Sequence, residues 1–275
     1  NHIKLTVGLM NKIKIGILGC SHVTKKSVLP ALITTEFAEL GMIGSRNADN
    51  ARALAEQFRC SSYGTYEEVL ENPSIDAVYI SLPNTLHDEW VIKALQANKH
   101  VWCEKPAALT YASARAMVET SRAHGVRLME GFMFLSHPQH AKVREIITNE
   151  AFGTPLTFAG NFTYPLPNVG NIRLSPTLGG GPSFHAAVSP IRASRTIFND
   201  ESIVCRLAVD QNSGVDTKAD MILFYSDGRT AFISSAFNKY FQSTYEVLGN
   251  KTRLKTERAF AVPKDKVVKL FLSTN

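Results

Sequence analysis

Cysteine is scarce, and Cys20, Cys60, Cys103 and Cys205 are scattered with no CxxC pair and no regular spacing. That excludes an obvious zinc site or disulfide framework and makes a reducing cytoplasm the expected setting. No apolar run approaches the roughly 20 residues of a bilayer span, and no charged-then-apolar leader ends in a cleavage site. A soluble, unexported chain with no membrane partner is expected. Internal repeats and low-complexity tracts are missing too. The 30 basic residues exceed the 24 acidic ones, for a net charge of +6, yet they are dispersed along the chain. Without a basic stripe and interleaved aromatics, no nucleic-acid partner is expected, and the surplus is available to steer an anionic cofactor or substrate.

What is present is enough apolar material for a core. With 275 residues, 44% hydrophobic and 20% charged, the chain fits one large domain or two smaller ones. Met10, just ahead of Asn11 and the first strong strand, looks like a natural start, with residues 1 to 9 an expression remnant or a short extension. From residue 12 to about 130, short apolar runs alternate with amphipathic stretches. The runs are 12–18, 38–45, 77–81, 100–103 and 127–131, and helices are expected at 50–58, 66–71 after Thr65, 89–97 before Asn98, and 112–124 between Thr110 and Gly125. That rhythm predicts repeated strand-helix units around a parallel sheet. After a helix at 140–149 the pattern turns to strand-like alternation at 156–164, 202–210, 219–226, 230–237 and 243–249, with one helix at about 182–198. Turn pairs Asp227-Gly228 and Gly249-Asn250 favour hairpins and an antiparallel sheet.

The first strand runs into Gly19-Cys20-Ser21-His22-Val23-Thr24, where a Rossmann unit keeps its glycine-rich turn and a helix N-terminus faces a pyrophosphate. Only Gly19 sits in register with G-x-G-x-x-G, Ser21 and Thr24 standing at the later glycine positions, so any strand-to-helix turn would also fit. The second strand ends in Gly44-Ser45-Arg46-Asn47, with no acidic residue for a ribose 2'-hydroxyl. Ser45 and Arg46 offer a hydroxyl and a guanidinium to a 2'-phosphate, which favours NADP(H) over NAD(H). Arg46 also reads as a solvated charge at a helix entry.

The segment Ser81-Leu82-Pro83-Asn84-Thr85-Leu86-His87, followed by Val101-Trp102-Cys103-Glu104-Lys105-Pro106, resembles the glucose-fructose oxidoreductase / inositol dehydrogenase / MocA family. Glu130-Gly131-Phe132-Met133, His137-Pro138-Gln139 and Gly179-Gly180-Gly181 carry the resemblance on, over about residues 12–262. It implies an α/β fold: a doubly wound Rossmann domain at 10–130 that binds NADP, then a substrate and oligomerisation domain at 131–275 with a mostly antiparallel sheet. On the reading of the strand ends, Gly19, Ser21, His22, Val23, Ser45 and Arg46 bind the dinucleotide. By the resemblance, Leu82, Pro83, Asn84 and His87 contact its adenosine or ribose side and line the nicotinamide channel, Glu104 and Lys105 flank the nicotinamide, and Lys105 hydrogen-bonds the reacting oxygen. Hydride delivery to a carbonyl builds negative charge on oxygen, which a lysine ammonium can stabilise and protonate; in reverse, a lysine of lowered pKa accepts the alcohol proton. The Lys105-Pro106 bond is a candidate cis peptide. The implied enzyme is a dehydrogenase or reductase acting on a sugar-like or cyclic-diol substrate, in a branch with nucleotide-sugar keto-reductases and dihydrodiol or xylose dehydrogenases, and it forms a homodimer or homotetramer.

The sequence departs from the family in its second block. After the triple glycine, relatives usually carry an aspartate and, four residues on, a histidine or tyrosine; here stand His185 and Ser189, with Arg192 at the following acidic position. His185 takes over substrate binding or proton relay, or the site has drifted to a catalytically weak NADP-binding sensor or assembly subunit, or His185 is a hydrogen-bonded helix residue. All three stay open. Leu135 stands where relatives with the His-Pro-Gln block often carry arginine. His137, His140 and His185 lack a metal-ligand spacing, so no metal is expected. Relatives usually continue past the Val267–Leu270 region with a further strand and a helix, and the expectation is a domain short of those elements.

Overall fold

The computed structural model describes residues 12–166, 170–212, 214–263 and 265–274; the expected start at Met10 lies outside them. The chain divides into two compact units, with the boundary between Gly131 and Phe132.

The first unit alternates strands and helices in the order β1 (Ile13–Leu18), a π-helical turn Thr24–Val28 leading into α1 (Leu29–Leu32), β2 (Ala38–Gly44), α2 (Ala48–Gln57), β3 (Tyr63–Gly64), α3 (Tyr66–Glu71), β4 (Ala77–Ile80), α4 (His87–Gln96), β5 (His100–Glu104), α5 (Tyr111–Ala123) and β6 (Leu128–Gly131). All pairings are parallel, in the order β3-β2-β1-β4-β5-β6. That is the doubly wound dinucleotide-binding order, with its crevice outside the carboxyl ends of β1 and β4. Local signals set the helix starts. Asn47 accepts from the Asn50 N–H at 3.0 Å, Thr110 from the Ser113 N–H at 3.1 Å, and Thr65 with Glu68 completes a reciprocal capping box. Apolar faces bury Leu18, Val78, Ile80 and Leu95 on one side and Ile17, Leu29, Ile43 and Tyr79 on the other. The two-residue strand β3 carried no periodic signal.

The second unit contains α6 (Pro138–Ile147), β7 (Pro155–Thr163), α7 (Pro182–His185), α8 (Val188–Phe198), β8 (Val204–Asn212), β9 (Val215–Phe224), β10 (Thr230–Ala236), β11 (Gln242–Gly249), β12 (Thr252–Thr256) and β13 (Leu270–Thr274). The sheet runs β13-β12-β11-β7-β10-β9-β8 and is antiparallel except where β10 pairs β7. One face is covered: Phe158, Ile233, Tyr245 and Val247 share a core with Val143, Ala193 and Phe198 of the helices. The register places Phe224, Phe232, Leu248 and Phe271 on the opposite face, all partly solvent-exposed. Strands β12 and β13 were not foreseen, because each is only five residues long and β12 is mostly polar.

The helix expected at about 182–198 is broken. Pro190 has no N–H for the carbonyl of Ala186, and its ring would strike that oxygen in a continuous helix. The chain instead leaves α7 through Ala186 at φ −114°, ψ −54° and restarts at Val188, which puts Pro190 in a first turn where proline is tolerated. His185 and Ser189 therefore lie on two helices, not one turn apart on a single face.

Candidate active site

The end of β1 is built around Gly19. Its φ of +105° suits glycine, and a Cβ there would stand 2.9 Å from Leu82 Cδ2. Leu82 and Ser81 fill the space that a side chain at this position would need, so the turn packs directly on the loop leaving β4. Thr24, at the third glycine position, is fully buried. Its hydroxyl lies 2.7 Å from the Ser81 hydroxyl and 2.9 Å from that of Ser21, and it donates to the Gly19 carbonyl at 3.2 Å. Side-chain hydrogen bonds here lace the turn to the end of β4 where a glycine would have let helix and strand pack directly. Sequence reasoning missed Ser81 and the part played by Thr24; the departure from glycine was the signal. Ser21 and Val23 are half-buried beside this knot, while His22 is exposed.

At the end of β2, Ser45 is buried and its hydroxyl accepts from the Asn47 N–H at 3.2 Å, whereas Arg46 is exposed. The Arg46 guanidinium lies close enough to Tyr66 to oppose the rise that burial imposes on the phenol pKa. Arg46 forms no salt bridge among the described residues, so its charge is not spent on a carboxylate.

Two neighbouring loops leave β4 and β5. Leu82 and Asn84 are buried and Pro83 half-buried in the first. His87 departs from expectation. Its ring is fully buried, with Nδ1 2.8 Å from the Pro106 carbonyl oxygen and Nε2 2.9 Å from that of Leu82. A ring enclosed between two backbone carbonyls cannot line a channel, so His87 stands behind the crevice wall. In the second loop the Lys105-Pro106 bond is cis, as expected. Glu104 Oε1 accepts from the Tyr79 hydroxyl at 2.9 Å. Burial raises the Glu104 pKa, although the Tyr79 hydrogen bond and the Lys105 charge pull against it and Glu130 adds to the rise. Glu130 itself accepts from the Ala107 N–H at 3.0 Å, tying the loop to β6. Tyr79 gave no sequence signal, being one aromatic among four apolar strand positions.

In the second unit, Gly181 takes φ +101° and passes so close to Asp216 that a Cβ would stand 1.8 Å from Oδ1. Asp216, from β9, accepts from both the Ser183 N–H (2.9 Å) and the Ser183 hydroxyl (2.7 Å) and thereby fixes the start of α7. His185 closes α7, buried, with its ring 6.5 Å from that of Phe237. Ser189 is buried and its N–H donates to the Ala186 carbonyl at 3.1 Å. The Arg192 guanidinium lies over the Phe132 ring at 5.9 Å. Leu135 packs against the apolar core, His137 caps α6, and His140 is held between the Tyr245 hydroxyl and the Ala259 carbonyl, both at 3.0 Å. No group of three His, Cys, Asp or Glu side chains able to hold a metal occurs among the described residues. No described helix is long and apolar enough to cross a membrane.

Comparisons with known proteins agree across both units. Residues 13–132 match the model of an oxidoreductase family with an NAD-binding Rossmann fold, and residues 140–255 match a GFO/IDH/MocA C-terminal domain. A dTDP-3,4-didehydro-2,6-dideoxy-alpha-D-glucose 3-reductase from Actinomadura kijaniata is 34% identical over 92% of this chain and 77% of its own. A D-xylose 1-dehydrogenase (NADP(+)) from Haloferax volcanii is also 34% identical, over 94% of this chain and 80% of its own. Among solved structures, a 3-ketoreductase from Actinomadura kijaniata in complex with NADP and TDP-benzene superposes with a TM-score of 0.86 at 32% identity, covering 96% of this chain and 85% of the other.

Proposed function

The chain belongs to the GFO/IDH/MocA family of oxidoreductases, and from that premise we propose that it is an NADP(H)-dependent reductase or dehydrogenase of a secondary alcohol or ketone on a sugar. The keto-sugar reductases among its relatives support a nucleotide-linked sugar as the substrate.

The residues present fit an NADP molecule. The positive-φ turn at Gly19 follows β1 where a Rossmann fold receives the pyrophosphate, and the end of β2 carries a buried Ser45 and an exposed Arg46 where an NAD-specific site would place a carboxylate. We assign the phosphates to Gly19, Ser21, His22 and Val23, the 2'-phosphate to Ser45 and Arg46, and the crevice walls to Leu82, Pro83, Asn84, Glu104 and Lys105. When bound, the nicotinamide supplies the hydride for reduction or takes it up in oxidation.

Lys105 holds the proton at the reacting oxygen. In reduction its ammonium stabilises the charge growing on that oxygen and donates the proton as the carbonyl becomes an alcohol; in oxidation its amine takes the proton back. Glu104, hydrogen-bonded to Tyr79, keeps a carboxyl group next to that ammonium. His185 carries the remaining substrate contact or proton relay, since Asp216 anchors the helix it ends. Residues 10–130 form the cofactor domain and 131–275 the substrate domain. The uncovered sheet face bearing Phe224, Phe232 and Leu248 is the surface of a homodimer or homotetramer. All four cysteines are free, in keeping with a cytoplasmic setting.

The observation carrying this reading is the ordered set at the ends of β1, β2, β4 and β5. Its test is titration with NADPH and NADH, then a panel of keto-sugars and aldoses followed at the nicotinamide absorbance. Tighter NADPH binding with turnover of a sugar is expected. Tighter NADH binding would refute the Arg46 assignment, and tight NADPH binding with no turnover across the panel would favour a cofactor-binding sensor.

A further inference from the structure

His87 is the first residue of α4 and is fully buried. Its ring bridges two backbone carbonyls, that of Leu82 in the loop leaving β4 and that of Pro106 just after Lys105 in the loop leaving β5. The ladder between these strands runs only as far as Ile80 opposite Cys103. Beyond that point the ring spans the gap that strand pairing no longer closes. Leu82 in turn lies against the Gly19 turn, at the distance where a Cβ on Gly19 would touch it.

A second buried histidine shows how unusual the arrangement is. The His140 ring meets one hydroxyl, of Tyr245, and one carbonyl, of Ala259, which matches the one lone pair and one N–H of a neutral imidazole. His87 instead faces two acceptors; burial lowers its pKa, so the ring is neutral and its one N–H donates to only one of the two carbonyls, the other lying against the second ring nitrogen. Such a ring is poorly suited to plain core filling and well suited to holding two loops at a set separation.

We propose that His87 is a positioning residue for the reaction: wedged between the Leu82 and Pro106 carbonyls and hydrogen-bonded to one of them, it sets where Lys105 stands relative to the bound nicotinamide. The inference rests on the NADP(H) oxidoreductase reading above. A displacement of about 1 Å at a reacting group can cost roughly 100-fold in rate, so a brace one residue from Lys105 has leverage.

The test follows Lys105 directly, through its rate of labelling by trinitrobenzenesulfonate, mapped by mass spectrometry with and without saturating NADPH. In the wild-type protein NADPH should slow Lys105 labelling about tenfold or more while leaving Lys251 unchanged. In His87→Ala, NADPH should bind within about threefold of wild type, yet protection of Lys105 should be lost; a tenfold change corresponds to about 1.4 kcal/mol. Should His87→Ala fail to fold, His87→Gln is judged in the same assay: it keeps one amide donor and should show partial protection. Full protection in the folded variant overturns the proposal, as does a loss of NADPH affinity equal to the loss of protection. A wild-type protein that binds no NADPH overturns the cofactor reading itself, a result distinct from either.

Discussion

The two units position their candidate site residues by different routes. In the first, each group sits within a few residues of a parallel strand end: Gly19 after β1, Ser45 and Arg46 after β2, Leu82 to Asn84 after β4, Lys105 after β5. Parallel pairing brings those ends side by side, so short strings of sequence suffice to write a site. In the second, the short helix that ends at His185 is anchored at its start by Asp216, which lies 33 residues beyond the Ser183 that it holds. Four consecutive residues cannot encode such a site. A motif in the first unit survives as a string, whereas in the second a string can change while the anchor stays.

The sharpest way to break this comparison is Lys105→Ala. Turnover should fall roughly 10³-fold or more while NADPH binds nearly as before. Activity retained in that variant, measured at the nicotinamide absorbance, would move the chemistry to the second unit. Acid is the next probe, and it should strike the second unit through His140. Burial lowers the His140 pKa from 6.5 to about 4. The unfolded chain then binds more protons between those values, so stability falls as pH drops from about 6.5 to about 4, by at most about 3 kcal/mol. Hydrogen exchange in α6 and β11 at pH 7 and pH 5 reads this slope, and His140→Gln should flatten it.

Arg46→Asp should weaken NADPH by about 10- to 100-fold and NADH far less, as expected for one charge-assisted contact. Equal losses would detach Arg46 from the 2'-phosphate. The smallest effect belongs to the long-range anchor: Asp216→Ala should cost about 1–2 kcal/mol, the worth of a helix cap. A urea midpoint that does not move would show that α7 needs no partner from β9.

Much of the first unit was legible because its signals are local. Thr65, Thr110 and Asn98 mark helix ends through their own side-chain or backbone preferences, and the structure places helix boundaries beside each. The burial of His87 was not legible. A polar residue in a motif reads as a contact, and only the meeting of two loops shows that its ring is spent on their carbonyls. The break at Pro190 could have been foreseen from proline chemistry, but the amphipathic spacing around it suggested one helix.

Periodicity and turn residues alone determined that this chain is an α/β protein with a parallel first half and a largely antiparallel second half, because those signals act over a few residues. The resemblance added Lys105 and the cis proline. Tertiary structure alone decided which polar side chains are buried against one another to hold the frame. Thr24 with Ser81, Tyr79 with Glu104, His87 between two carbonyls and Asp216 beneath α7 are pairings between distant residues. A buried polar group is stable only when a partner meets it, and which partner does so is settled by packing rather than by neighbours in the chain.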